Sequence, residues 1–214
     1  MTAAEYAAGV LEQHGSLGAE VAAVLAYCMA APVAQEMAAA ITGSGHTPVP
    51  MILFDGEPAT AAAVEAGYQV AATQLSARVG ASESAARRTL VLDPALLADR
   101  PDDAVHRMRQ TLVEMGMTAL SADDAEAAAD IADQLADFYL DWLVQLVAAH
   151  NTSWPAWGGD VLHIASRDHR FTGGWPGAGS TRVWRVDAPR AALLARPETK
   201  RLACAFLAGA AHTG

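Results

Sequence analysis

The sequence predicts an α/β protein: a mostly parallel sheet of about four strands, interrupted by a large helical insertion. Three observations predict it. Short apolar runs at 21–26, 49–54, 161–165 and 181–186 have the length and composition of strands in a sheet covered on its faces. An Ala-rich helical stretch at 29–41 separates the first two, giving a strand–helix–strand unit of the kind whose crossover is right-handed in nearly all sheets. Residues 58–157 read as long helices, with one candidate short strand at 89–92.

Taken in order, Thr2 and Glu5 form a capping box that opens a helix at about 3–13, and Gly15, Ser16 and Gly18 break it. Val21 to Ala26 carries no charge and reads as a strand buried on both faces. The helix from Met29 ends at Gly43, and a turn holding Ser44, Gly45, His46 and Pro48 leads to Val49–Phe54, which Asp55-Gly56 terminates. In the insertion, Ser121 is the expected N-cap of a helix reaching His150, with Ile131, Leu135, Phe138, Tyr139, Trp142 and Leu146 on one stripe. Strands at Val161–Ala165 and Thr181–Val186 and a helix at Thr199–Ala211 complete the chain. The division expected is 1–57 and 159–214 as one core, with 58–158 inserted into it.

Composition excludes several classes. The 214 residues are 52% apolar and 18% charged, which rules out disorder and collagen-like repeats. The longest uninterrupted apolar run, Val21–Ala34, is 14 residues and contains Pro32, too short to span a bilayer. No basic residue precedes Arg78, so no leader is expected and the cytoplasm is the expected compartment. There Cys28 and Cys204 are expected as free thiols. The net charge of −10 argues against nucleic acid. Residues from 160 onward nevertheless carry eight bases against four acids, which suits a small anion or an acidic carrier protein.

The segment Ala26-Tyr27-Cys28-Met29-Ala30 lies where a strand ends and a helix begins, with small residues two before and two after Cys28. A side chain on such a turn is exposed; the helix N-terminus lowers a thiol pKa, and the next backbone N–H faces a developing oxyanion. Leu25 to Met37, with Phe54-Asp55-Gly56-Glu57-Pro58 after it, resembles the thioesterase domains of nonribosomal-peptide and polyketide synthases, α/β-hydrolases with Ser or Cys at the elbow. The resemblance covers the order of the whole chain. It implies a partial α/β-hydrolase fold, truncated on its N-terminal side, with a helical lid. It also implies Cys28 as nucleophile, Asp55 as acid, Met29 as an oxyanion donor and Asp168 as an alternative acid. Arg167-Asp168-His169 with Gly173-Gly174-Trp175 looks like the family's segment after the third strand.

The resemblance breaks where the family has its histidine, ahead of a Leu-Leu or Met-Leu pair before the last helix. This chain has Arg190 ahead of Ala191-Ala192-Leu193-Leu194, and arginine is no general base. The triad is degenerate, and His169 or His163 is left as candidate base. His163 lies inside a strand, where a core histidine is the plainer reading. A fixed cation suits a carboxylate, phosphate or sulfate, so Arg190, Arg182 and Arg185, with Tyr27 and Trp175, are candidates to hold the substrate or its anionic part. Cys204 reads as core, as do Trp154, Trp157 and Trp175. No His or Cys spacing suggests a metal, and no cofactor is expected.

The 27 residues before Cys28 hold one helix and one strand, so a companion subunit, or a second copy, is expected along the outer edge of that strand. What the resemblance implies is action on a carrier-tethered acyl or amino-acid intermediate of bacterial natural-product biosynthesis, and the departure at Arg190 suits ring closure or loss of an anionic group rather than simple hydrolysis. Two alternatives stand beside it: an inactive hydrolase-fold scaffold, and an ordinary thioester hydrolase whose base is relocated or supplied by a partner.

Overall fold

The structure, a computed structural model, describes residues 1–13, 21–43, 47–80, 92–120, 125–171 and 173–210. The expected turn residues Gly15, Ser16, Gly18 and Ser44–His46, the candidate strand at 89–91 and the expected N-cap Ser121 lie outside them. The chain forms two compact units, Ala3–Pro58 with Thr152–Gly214, and Met1–Thr2 with Ala59–Asn151.

The first unit contains α1 (Ala3–Gln13), β1 (Val24–Tyr27), α2 (Ala31–Gly43), β2 (Met51–Phe54), β3 (Asp160–Ala165) and β4 (Ser180–Arg185). The four strands form one sheet in the order β1-β2-β3-β4, and every pair is parallel. The register sets Tyr27 beside Phe54 and Phe54 beside Ile164, so the C-terminal ends of β1, β2 and β3 lie at one edge of the sheet. One face packs Val24, Ala26, Met51, Leu53 and Val161 against Ala31, Ala34 and Ala38 of α2 and against Trp157 and Trp175. The opposite face packs Ile52, Leu162 and Ile164 against Leu193 and Phe206; Phe206 lies on the C-terminal helix, which spans Pro197–Ala210.

Two polar side chains on the buried face of α2 fix the loops around β3. Gln35 donates to the carbonyls of Pro155 (2.8 Å) and Pro176 (2.9 Å) and accepts the Trp175 indole N–H at 2.8 Å. Glu36 accepts from the Ser153 amide at 2.9 Å and from the hydroxyls of Thr152 and Ser153 at 3.0 Å each. Burying two such groups is tolerable because each is hydrogen-bonded. Gly177 has φ +75°, and a Cβ there would meet the Pro155 carbonyl oxygen, so the turn that brings Pro176 to Gln35 requires glycine.

Strand limits differ from the sequence expectation. β1 begins at Val24 and includes Tyr27, and only one of its faces is buried: Leu25 is 54% exposed. An apolar run reads as buried on both faces when it lies inside a sheet, but among the described residues β1 is an outer strand. β2 begins at Met51; Pro50 just before it lacks an N–H and serves as acceptor for Val24 N at 3.0 Å.

The second unit is helical: α3 (Ala61–Arg78), α4 (Pro94–Asp99), α5 (Pro101–Ala119) and α6 (Ala125–His150), the C-terminal helix of the first unit being α7. Thr60 Oγ1 caps α3 by accepting from Ala63 N at 3.2 Å, and Asp93 caps α4 by accepting from Ala95 N at 2.9 Å. The stripe expected on α6 holds at Tyr139 and Leu146 and is corrected elsewhere. Ile131, Phe138 and Trp142 are exposed, and the buried line is Ala128, Ala132, Ala136, Tyr139, Leu143, Leu146 and Val147. The alanines lie inward because α5 approaches closely: a Cβ on Gly116 would fall 2.9 Å from Ala132 Cβ. Arg109 of α5 reinforces the seam from outside, reaching Asp133 at 2.8 Å and Asp137 at 2.7 Å.

Candidate active site

The site is built at the C-terminal ends of β1 and β2. Tyr27 ends β1 in extended backbone (φ −117°, ψ 133°), Cys28 turns to φ 56°, and a 3₁₀ turn over Cys28–Ala30 leads directly into α2. Asp55, the residue after β2, is also left-handed at φ 48°. Two non-glycine residues held there, side by side at adjacent strand ends, mark backbone strain of the kind that collects at functional sites. The Asp55 side chain is fully buried: Oδ1 accepts from Ser166 N at 2.6 Å, while its own amide donates to Ile164 O at 3.0 Å. Gly56 allows the chain to turn tightly, since a Cβ there would lie 3.0 Å from Leu53 Cβ. Glu57 is thereby delivered back beside Cys28.

Arg190 opens a 3₁₀ turn after Pro189 and joins the cluster. Its Nε donates to Asp55 Oδ2 at 3.3 Å and its Nη1 to Glu57 Oε1 at 3.0 Å; Nη1 also reaches Cys28 Sγ at 3.6 Å, and Nη2 lies 3.4 Å from His169 Nδ1. The Cys28 thiol donates to Glu57 Oε1 at 3.1 Å. His169 Nδ1 is also 3.6 Å from Asp55 Oδ1, and its Nε2 is buried without a hydrogen-bond partner among the described residues. The Tyr27 hydroxyl donates to the Arg190 carbonyl at 3.4 Å. Behind this layer His163 stands edge-to-face to His169 at 5.0 Å, with Phe171 and Trp175 around it.

These contacts set the charge states. Burial, with the hydrogen bond and charge of Glu57, pushes the Cys28 thiol up to about 11, outweighing a backbone hydrogen bond from Met29 and the Arg190 charge. The lowered thiol pKa expected from a helix N-terminus is therefore corrected, because the sulfur is partly buried and faces a carboxylate. Burial opposes ionisation of Glu57, but hydrogen bonds from Arg190 and Cys28 outweigh it and hold the carboxyl below its ordinary range. Arg190 is raised by its bond to Glu57, and Tyr27 is raised chiefly by burial. His163 is pushed down to about 4 by burial and then by His169.

The structure thus brings Cys28, Asp55, His169, Arg190 and Tyr27 together, with Met29 next to the sulfur. Other candidates lie elsewhere. Asp168 is exposed in the loop, outside the bonds that join the cluster. Arg182 lies over the Phe206 ring at 5.4 Å. Arg185 Nη1 donates to the carbonyls of Ser166, Arg167 and His169 at 2.9, 3.0 and 3.1 Å, fixing the loop that carries His169. Trp175 is a core residue, 3% exposed. Cys204, expected in the core, is exposed on α7, whose inward residue is Phe206. Glu57 is the residue that sequence reading passed over. Its signal was present in Asp55-Gly56-Glu57, because a turn after a strand parallel to β1 must run beside the elbow. Among the described residues no group of three or more His, Cys, Asp or Glu side chains could hold a metal ion, and no helix is long and apolar enough to cross a membrane.

A thiol, a carboxylate acceptor and a guanidinium around a strand-to-helix elbow can support attack on an activated acyl carbon. No protein-family model matches this sequence, and no curated protein matches it. Solved structures do match in shape. A four-domain nonribosomal peptide synthetase in its holo form, bound to AMP and glycine, superposes with a TM-score of 0.50 at 13% identity, covering 99% of this chain and 15% of that one. A mutant of a candidate epoxide hydrolase from Pseudomonas aeruginosa superposes with a TM-score of 0.51 at 16% identity, covering 99% of this chain and 73% of that one. The chain spans about a seventh of the synthetase's length. With the parallel sheet, the elbow at Cys28 and Asp55 after the next strand, the chain has the α/β-hydrolase fold.

Proposed function

We propose that the chain is a thioesterase-like acyl-transfer protein of natural-product assembly, taking an acyl or aminoacyl group from a carrier-bound thioester onto Cys28. The observation that carries the reading is Cys28 itself, a thiol at φ 56° on the elbow, between the Glu57 carboxylate and the Arg190 guanidinium. The shape shared with part of a nonribosomal peptide synthetase supports the substrate class, and the excess of bases after residue 160 suits an acidic carrier. The acyl-Cys28 would be resolved by an amine of the substrate, closing a ring, or by water.

A second reading, a binding module without turnover, is favoured by the raised thiol pKa. A companion subunit along β1 belongs to either reading, since among the described residues Val24–Tyr27 is an outer strand with Leu25 exposed and no lysine or proline to protect it. The deciding experiment incubates the chain, alone and co-expressed with its gene neighbours, with S-acyl N-acetylcysteamine thioesters and reads intact mass. A single acyl adduct lost in Cys28→Ala supports acyl transfer; saturable binding with no adduct supports the module.

A further inference from the structure

We infer that Glu57, not a histidine, takes the proton from Cys28, and that Arg190 holds the negative charge on both sides of that transfer. The inference rests on the acyl-transfer reading of Cys28 and names the catalytic group that reading leaves open. Glu57 Oε1 already accepts the thiol proton at 3.1 Å, and Arg190 Nη1 donates to that same oxygen at 3.0 Å while reaching the sulfur at 3.6 Å. One N–H group therefore faces both atoms between which the charge moves. When the proton passes from Sγ to Oε1, the anion shifts from oxygen to sulfur without leaving the guanidinium, so little reorganisation accompanies the step. Arg190 Nε is anchored on buried Asp55 at 3.3 Å, which makes Asp55 a positioning residue for Arg190.

His169 is poorly placed for the same task. Its Nδ1 meets Arg190 Nη2 at 3.4 Å, and a guanidinium can only donate. Its Nε2 is buried without a partner among the described residues, and the hydrogen-bond partners of the Cys28 side chain are Glu57 and Arg190.

The step balances within the cluster. The Sγ–H proton goes to Glu57 Oε1 as the sulfur lone pair forms the S–C bond and the carbonyl π pair moves onto oxygen, beside the Met29 N–H. Collapse of that oxyanion restores C=O and breaks the bond to the leaving thiolate, which takes the proton back from Glu57. Resolution repeats the cycle with water or an amine as the proton donor. Burial and mutual contact keep the thiol protonated up to about 11 and Glu57 ionised below its ordinary range, the pairing of states that general-base attack requires across neutral pH. Tyr27, Asp55, His169 and Arg190 are the other titratable groups facing the pair.

The test measures acylation of Cys28 by S-acetyl-N-acetylcysteamine, by intact mass, from about pH 5 to about pH 9, in wild type, Glu57→Gln, Glu57→Asp and His169→Ala, each checked for native circular dichroism. Wild type is expected to show a rate nearly flat from about pH 5.5 to about pH 8. Glu57→Gln, left with thiolate attack alone, should rise about tenfold per pH unit and lie about 100-fold below wild type at about pH 5.5, the gap closing in alkali. Glu57→Asp should keep the flat profile at reduced rate. A wild-type profile breaking near pH 6 to 7, abolished by His169→Ala and kept by Glu57→Gln, would overturn the inference alone. No acyl-Cys28 in wild type at any pH would overturn the acyl-transfer reading and this inference with it.

Discussion

Cys28 and Glu57 are joined twice: the thiol donates to Glu57 Oε1 at 3.1 Å, and the Glu57 amide donates to the Cys28 carbonyl at 3.4 Å. The backbone bond holds the turn after β2 against the elbow after β1, and the side-chain bond uses that proximity. The pair is thus a product of parallel strand pairing, in which Tyr27 lies beside Phe54. It places a carboxylate where an elbow thiol otherwise meets the positive end of a helix.

The thiol is consequently guarded at rest. Only thiolate alkylates at an appreciable rate, and with the Cys28 pKa pushed up to about 11 iodoacetamide should label it more slowly than exposed Cys204 at about pH 8. Glu57→Gln removes the negative charge and leaves only a neutral, weaker acceptor, so labelling of Cys28 there should rise about tenfold, one pKa unit's worth. Peptide mapping of the two sites reads this directly. Labelling of Cys28 ahead of Cys204 in wild type would show that the carboxylate does not hold the proton.

Arg190 is a structural member of the cluster as well as a charge. Replacing it by Gln leaves Asp55, which is 0% exposed, without its guanidinium, and an under-satisfied buried acceptor costs about 1 to 3 kcal/mol. Urea unfolding of Arg190→Gln should show that loss. Its Cys28 thiol should also become harder to ionise, because the nearest cation is gone. A variant as stable as wild type would mean that Ser166 N alone satisfies Asp55.

The fold was largely legible because its signals are local. Apolar runs ended by Asp55-Gly56, an elbow flanked by Ala26 and Ala30, and the strand–helix–strand spacing all act within a few residues. What the sequence hid depends on neighbours far along the chain. Tyr27 to Arg190 spans 163 positions and Cys28 to Arg190 spans 162. No periodicity reveals that Arg190 lies between Asp55 and Glu57 rather than open to an anion. The α6 stripe shifted for a related reason: Tyr139 and Leu146 lie inward as expected, but close packing on Gly116 favours Ala132 over a large apolar residue there.

His163 makes stability depend on pH. Its pKa falls to about 4, from an ordinary 6.5, through burial first, then the charge of His169 and that of Arg185, against the opposing Asp55. Below about pH 6.5 the unfolded chain therefore takes up a proton that the folded chain refuses, and stability drops until the folded pKa is reached. Between about pH 7 and about pH 5 the loss should be about 2 kcal/mol. Glu57, shifted down, gives up its contribution only further into acid. Urea midpoints at those two pH values should separate in wild type and nearly coincide in His163→Phe, which also removes two unpartnered buried nitrogens. Equal separation in both proteins would assign the effect elsewhere.

Two glycine replacements should act in opposite directions. Gly9 lies inside α1 with nothing within 4 Å of where a Cβ would stand, so Gly9→Ala restricts the unfolded chain without strain and should stabilise by about 0.5 to 1 kcal/mol. Gly116 also lies inside a helix, α5, and gains the same propensity. Its Cβ, however, would lie 2.9 Å from Ala132 Cβ and 3.2 Å from Ala132 Cα. Neither atom can rotate away, so α5 and α6 must separate along a seam that alanines make close. Overpacking of this kind costs about 1 to 3 kcal/mol. Set against a propensity gain of about 1 kcal/mol, Gly116→Ala should end up to about 2 kcal/mol less stable than wild type. Thermal unfolding of the two variants side by side checks both signs. Stabilisation in both would show that α5 and α6 are spaced more widely than Gly116 and Ala132 indicate.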